Sequence, residues 1–183
     1  MEKIWKKIES WLEKNAPDQF AALEPGADAA AVKKAEQAMS CELPKDVAES
    51  YRIHDGMRGG VGPLIDDWRL LSLTGMVKEW QGLKKVADAG TFADMDAKPD
   101  VQIKPGWWNP RWIPICSNNS GDFLCVDLDP QRTGKSGQII TYLHADPARK
   151  LTAKNLTSLL KQFAADLAAG KYKVDGEWLT RIE

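Results

Sequence analysis

Ile4, Trp5, Ile8, Trp11 and Leu12 recur at helical spacing with lysine and glutamate between them, which predicts an amphipathic helix ended by Asn15-Ala16-Pro17. Pro25-Gly26 reads as a turn. Asp28 is placed to cap a second helix whose buried stripe is Val32, Ala35 and Met39. Pro44 suits the first turn of a third helix, with Leu43 and Val47 packing across its entrance, Tyr51 and His54 carried inward, and Gly56 as its C-cap. A glycine-rich loop runs from Met57 to Asp67, and "WRLLSL" from Trp68 reads as a strand. Thr74 is placed to cap a fourth helix bearing Val77, Trp80 and Leu83 on one face. The polar stretch from Asp88 to Gly106 looks like a long acidic connection.

From Trp112 the period changes. "WIPICS", "FLCVDL" and "QIITYL" are short β-prone runs separated by turn signals, the pattern of an antiparallel meander. Within the second run, Leu124, Val126 and Leu128 share one face and are expected to meet the helices, while Phe123, Cys125 and Asp127 share the other. Thr152 is expected to cap a closing helix with the stripe Leu156, Leu159, Leu160, Phe163 and Leu167, ended by Gly170. Helices, then strands, then a helix predict an α+β fold: a twisted antiparallel sheet with N-terminal helices and a C-terminal helix packed on it. The expected organisation is an N-terminal helix over 1–19, a domain over 20–170 and a C-terminal tail over 171–183 that carries Trp178.

Composition narrows the functional classes. The 25 Lys+Arg and 26 Asp+Glu residues nearly cancel, so the chain lacks the basic footprint that nucleic-acid binding needs. No apolar run approaches the ~20 residues that span a bilayer. The N-terminus interleaves charge every turn and does not read as a signal peptide, so a cytoplasmic protein with no membrane partner is expected. Three cysteines, Cys41, Cys116 and Cys125, form no CxxC pair and read as reduced thiols, with Cys116 facing Cys125 if the turn between them holds an even number of residues.

Candidate chemistry concentrates in "SGDFLCVDLDP", Ser120 to Pro130. Its acids, Asp122, Asp127 and Asp129, fall on two turns and one strand face and do not converge, so no metal site is expected there. The Asp94/Asp96 pair lacks full calcium-loop spacing, and the glycine-rich loop lacks the phosphate-cradle pattern GxxxxGK[ST]. His54 and His144 are the only histidines, and neither has a motif around it. Hence no catalytic residue and no cofactor are assigned, and an enzyme is not expected. Two loops read instead as a partner surface. Asp66, Asp67 and Trp68 lead into one strand, and Trp107, Trp108 and Arg111 lead into another. The two loops are expected to lie together, their aromatic residues as anchors and their acids complementary to a basic partner. Trp112 is expected to seal the core.

Several of these residues also fall in a familiar order. Pro25-Gly26-Ala27, a helix ending in Glu36, Leu43-Pro44, Tyr51 and His54-Asp55-Gly56 come first. Trp112-Ile113-Pro114, Gly121-Asp122, Asp127-Leu128-Asp129 and Gly137 follow. The ordered set resembles the SUKH superfamily, of the yeast cell-wall-assembly-regulator type, over roughly residues 20 to 168. The resemblance implies an α+β domain with no accepted catalytic centre, in which Leu43, Pro44, Tyr51, Gly56, Trp112, Pro114, Gly121, Asp122 and Asp127 are structural. Many bacterial members resemble immunity proteins that bind and neutralise a cognate toxin, often a nuclease; fungal members are scaffolds in cell-wall signalling with long disordered arms. This chain shows no such arms, so the expected function is a cytosolic immunity protein with a toxin as protein partner. The alternative is a regulatory scaffold or ligand-binding module with no toxin partner.

Overall fold

The computed structural model describes residues 1–182. The first amphipathic stripe forms α1 (Glu2–Asn15), and Pro17 opens a short α2 (Pro17–Ala22). Trp5, Ile8 and Leu12 are fully buried, so α1 is part of the core, where it packs on the closing helix. Asp28 caps α3 (Ala29–Met39) by accepting from Ala31 N at 2.7 Å, as its sequence position predicts. Pro44 stands at the N-cap of α4 (Lys45–Tyr51).

Gly56 has a different role from the expected one. α4 ends five residues earlier, and Gly56 (φ 78°) lies where the chain presses on a neighbouring junction. A Cβ there would sit 2.5 Å from Ser72 N and 2.7 Å from Leu71 O. Only glycine supplies both the left-handed conformation and the clearance. The strand expected at Trp68 is short, β1 (Arg69–Leu70). The fourth helix, α5 (Leu73–Asp88), starts one residue before Thr74. The reason is that Ser72 Oγ accepts from Gly75 N at 3.1 Å while Asp55 accepts from Leu73 N at 2.6 Å, so two side chains already satisfy the first turn.

The polar connection contains β2 (Lys98–Pro99). The meander forms as β3 (Trp112–Ser117), β4 (Phe123–Asp127) and β5 (Gln138–Tyr142), followed by β6 (Ala148–Arg149) and β7 (Leu151–Ala153). The main sheet is antiparallel throughout in the order β1-β3-β4-β5-β7, and β2 pairs parallel with β6. The closing helix, α6 (Leu156–Ala168), is capped by Asn155 through Ser158 N at 2.8 Å, not by Thr152. Thr152 is unavailable because Leu151–Ala153 pairs with β5. Leu156, Leu160, Phe163 and Leu167 are buried, whereas Leu159 is only half-buried. Asp46 ties α6 to α4 by accepting from both the Thr157 N–H and its hydroxyl at 3.0 Å. The C-terminal tail folds into a hairpin of β8 (Tyr172–Asp175) and β9 (Trp178–Arg181). Its Tyr172 meets Phe163 edge-on at 5.3 Å.

Two sequence expectations about the meander are corrected. Every residue of β3 and β4 is buried, so the face bearing Phe123 and Cys125 is covered as well as the helix-facing one. Tyr142 stacks on Phe123 at 6.1 Å, and the Arg149 guanidinium lies over the Tyr142 ring and over that of Trp107. The register also shifts between Pro114 and Cys116, pairing Pro114 with Cys125 and Cys116 with Leu124. This bulge takes the two thiols out of direct opposition. All three cysteines are free, and burial pushes the Cys116 thiol up to about 12.

Candidate functional site

The two loops expected to form one surface lie at opposite ends of the sheet. β1 runs antiparallel to β3, with Arg69 opposite Ser117. The entrance to β1 at Trp68 therefore adjoins the exit of β3, and the entrance to β3 at Trp112 is roughly 17 Å away along a six-residue strand. Antiparallel pairing makes this unavoidable. Asp67 borders a hollow with Asn118 and Ser120, whereas Arg111 borders a groove with Ser40, Cys41 and Pro44.

Individual residues are corrected too. Trp107 and Trp108 are buried, 7% and 9% exposed, and offer no free anchor. Trp108 meets Trp80 edge-on at 6.5 Å, and Trp80 Nε1 donates to Pro110 O at 2.9 Å, which joins the loop to α5. Trp107 is held by Arg149, a residue that sequence reasoning passed over. This guanidinium is fully buried and lies over the rings of both Trp107 (4.9 Å) and Tyr142 (4.7 Å). It donates to the carbonyls of Trp107, Asp146 and Ala148 at 2.6–3.1 Å. A cation buried without a carboxylate partner among the described residues is tolerated because carbonyl dipoles and two ring faces replace its water. In "HADPARK" it reads as a solvated loop charge; no periodicity marks it.

On the other side, Asp66 (φ 50°) makes the tip of a turn closed between Ile65 and Trp68, which exchange backbone hydrogen bonds at 2.8 and 3.2 Å. Its carboxylate accepts from the Tyr172 hydroxyl at 2.6 Å and from Arg181 at 3.4 Å. Arg181 also pairs with buried Asp166, as does Lys171. The Lys171 hydrogen bond, with those from Gln162 and Arg181, outweighs burial and holds the Asp166 carboxyl below its usual range. Asp66 is thus a latch for the C-terminal hairpin. Trp68 is half-buried against the core, so Asp67 and Arg111 are the two predicted partner residues that are exposed.

The chemistry-bearing residues are absorbed by the architecture. Asp127 is fully buried; Oδ1 accepts from Asp129 N at 2.9 Å and Oδ2 from Gln138 Nε2 at 2.8 Å, and burial raises its pKa. Asp129 accepts from Lys104 and Asn109, which hold it below the ordinary carboxylate range. Asp122 accepts from the His144 backbone and ring at 2.8 Å and from Asn118, and these bonds outweigh burial to lower its pKa. Gly121, beside it, takes φ 93° in the same turn. His54 bridges α1 to the segment before α3, 2.8 Å from Glu9 and 3.0 Å from the Glu24 carbonyl. Tyr51, buried, donates to Leu71 O at 3.0 Å, and Leu43 and Trp112 are core residues. Among the described residues no three His, Cys, Asp or Glu side chains converge as a metal site, and no helix is long and apolar enough to cross a membrane.

The structure defines a mixed α+β domain in which an antiparallel sheet is enclosed by helices and by an arginine-clamped loop. The chain belongs to the SMI1 / KNR4 family (SUKH-1), whose model matches residues 26–162. It is 30% identical to a glucan synthesis regulatory protein of Neurospora crassa and 29% identical to a cell wall biosynthesis/cell cycle regulator of Schizosaccharomyces pombe. It is 28% identical to the cell wall assembly regulator SMI1 of Saccharomyces cerevisiae. Each match covers 93% of this chain, but the chain spans only 37–41% of the length of these relatives.

Proposed function

We propose that this chain is a non-catalytic regulatory module that acts by binding another protein. Its likeness to proteins named as regulators extends over 93% of its length, which supports the regulatory part of the reading. The observation that carries the non-catalytic part is the state of Asp127. Both oxygens are spent on Asp129 N and Gln138, and the side chain is fully buried, so it reaches no substrate. Asp122, Asp129 and His54 are likewise engaged in closing turns and joining segments. General acid–base chemistry needs a group within reach of a substrate proton; each of these groups is instead hydrogen-bonded to other residues of the chain. None of the three relatives bears a toxin-related name, so the partner proposed is a regulatory one. Three free thiols fit a reducing compartment, and the cytoplasm is the proposed location.

The test is reconstitution. The tagged chain is cross-linked at native abundance in its host, its partner is identified, and both are purified and remixed. An equimolar complex formed from the two purified proteins is expected. Catalytic conversion of the partner or of a small molecule by the purified chain overturns the reading.

A further inference from the structure

Trp178 opens β9 with 58% of its surface exposed. Its backbone is anchored. Glu177 O accepts from Gly62 N at 2.9 Å and from Gln19 Nε2 at 2.7 Å. Gly62 is required for this approach: a Cβ there would sit 2.7 Å from Glu177 O and 2.9 Å from Trp178 Cα. An indole on a fixed backbone is a preorganised platform, and its ring face attracts positively polarised C–H bonds.

Beside the ring lies a hollow of about 280 Å³, bordered by Pro63, Asp67, Arg69 and the turn from Ser117 to Ser120. That turn is stiffened from within. Ser117 Oγ accepts from Asn119 N at 3.0 Å, and Asn118 Oδ1 accepts from Ser120 N at 2.8 Å. They hold Asn119 at φ 62°, a left-handed turn conformation that asparagine adopts readily. The Arg69 guanidinium is spent on the carbonyls of Arg58 and Val61. The side chains of Asp67, Asn119 and Ser120 make no hydrogen bond to another described residue; they offer a carboxylate, an amide and a hydroxyl. Asp67 and Arg69 have opposite charges, so the lining of the hollow carries no net formal charge.

We propose that this hollow is a subsite for one ring of a neutral saccharide, its C–H face on Trp178 and its hydroxyls on Asp67, Asn119 and Ser120. The size fits a single ring, since it sits just under the ~300–1,000 Å³ of pockets that enclose larger ligands. The inference does not depend on the chain having a protein partner.

The test uses the full chain labelled with ¹⁵N, with the Trp178 indole N–H assigned through Trp178→Phe. Neutral trisaccharides of gluco, manno and galacto configuration are titrated to ~50 mM, a range that captures millimolar binding. Inorganic phosphate and a short Lys/Arg peptide are titrated in parallel. At least one trisaccharide is expected to shift the Trp178 indole and the Asn119 and Ser120 amides saturably. Asp67→Asn should weaken that binding by roughly tenfold, the loss of one charge-assisted hydrogen bond. Trp178→Ala, with unchanged circular dichroism, should abolish the amide shifts. The proposal is overturned if no trisaccharide shifts these resonances, if the amide shifts persist in folded Trp178→Ala, or if phosphate or the basic peptide saturates them instead.

Discussion

Replacing Arg149 tests what encloses the second face of the sheet. Arg149 is fully buried, and its guanidinium serves three carbonyls and two aromatic rings. Arg149→Met keeps most of the stem volume and removes every polar contact. Each carbonyl left without a donor costs about 1–3 kcal/mol, less where water enters, and losing the ring contacts adds up to ~2 kcal/mol. Against this, removing a buried cation recovers a desolvation penalty of several kcal/mol. The balance is a net loss of about 2–4 kcal/mol. Arg149→Lys is expected to be no better than Met, because one ammonium cannot span carbonyls that a planar fork reaches in three directions. Urea unfolding followed by tryptophan fluorescence reads both variants, provided the m-value is unchanged. A Met variant within ~0.5 kcal/mol of the parent, or a Lys variant with full stability, would refute the reasoning.

Other expectations follow from the same contacts. Asp166 has its folded pKa depressed, chiefly by Lys171; its stabilisation is present above the unfolded value of ~3.9 and is lost as pH falls through the folded one. Urea midpoints of the parent should therefore fall more between neutral pH and pH ~3 than those of Asp166→Asn, and equal slopes would mean that the pairing of Asp166 with Lys171 and Arg181 adds no stability. Leu160→Ala and Phe163→Ala should cost about 2–5 kcal/mol, since both residues are buried beneath the sheet; changes under ~1 kcal/mol in thermal or urea unfolding would mean that α6 does not close the core. Calcium, magnesium, manganese and zinc should leave the melting temperature unchanged, because Asp122, Asp127 and Asp129 already have protein partners. A concentration-dependent rise that disappears in Asp127→Asn would overturn that.

What the sequence made legible was what local chemistry decides. Helical periodicity placed α1, α3 and α6, and turn residues placed the meander, because each signal lies within one element. Capping was read less well, since Ser72 and Asn155 won over Thr74 and Thr152 through tertiary neighbours: Asp55 at one helix start, the β5–β7 pairing at the other. Alternation along β4 correctly split its side chains into two faces but gave no sign that both were covered, because Arg149 and Trp107 arrive from distant segments. The candidate surface failed for a related reason. Two strand entrances look alike in sequence, and only the pairing of β1 with β3 reveals that they point to opposite ends. Trp178 was legible as an aromatic in the tail, but its exposure depends on Gly62 and Gln19, both more than 100 residues earlier.

The central claim is that the ionisable residues of this domain hold its shape and that the domain works by binding. Calorimetric titration of the identified partner into the parent, His54→Gln and Asp127→Asn measures this most directly, with circular dichroism to show that each variant is folded. The account predicts equimolar binding with the same affinity in all three, and no turnover of partner or small molecule by any of them. Turnover by the parent that is lost in either folded variant would contradict it.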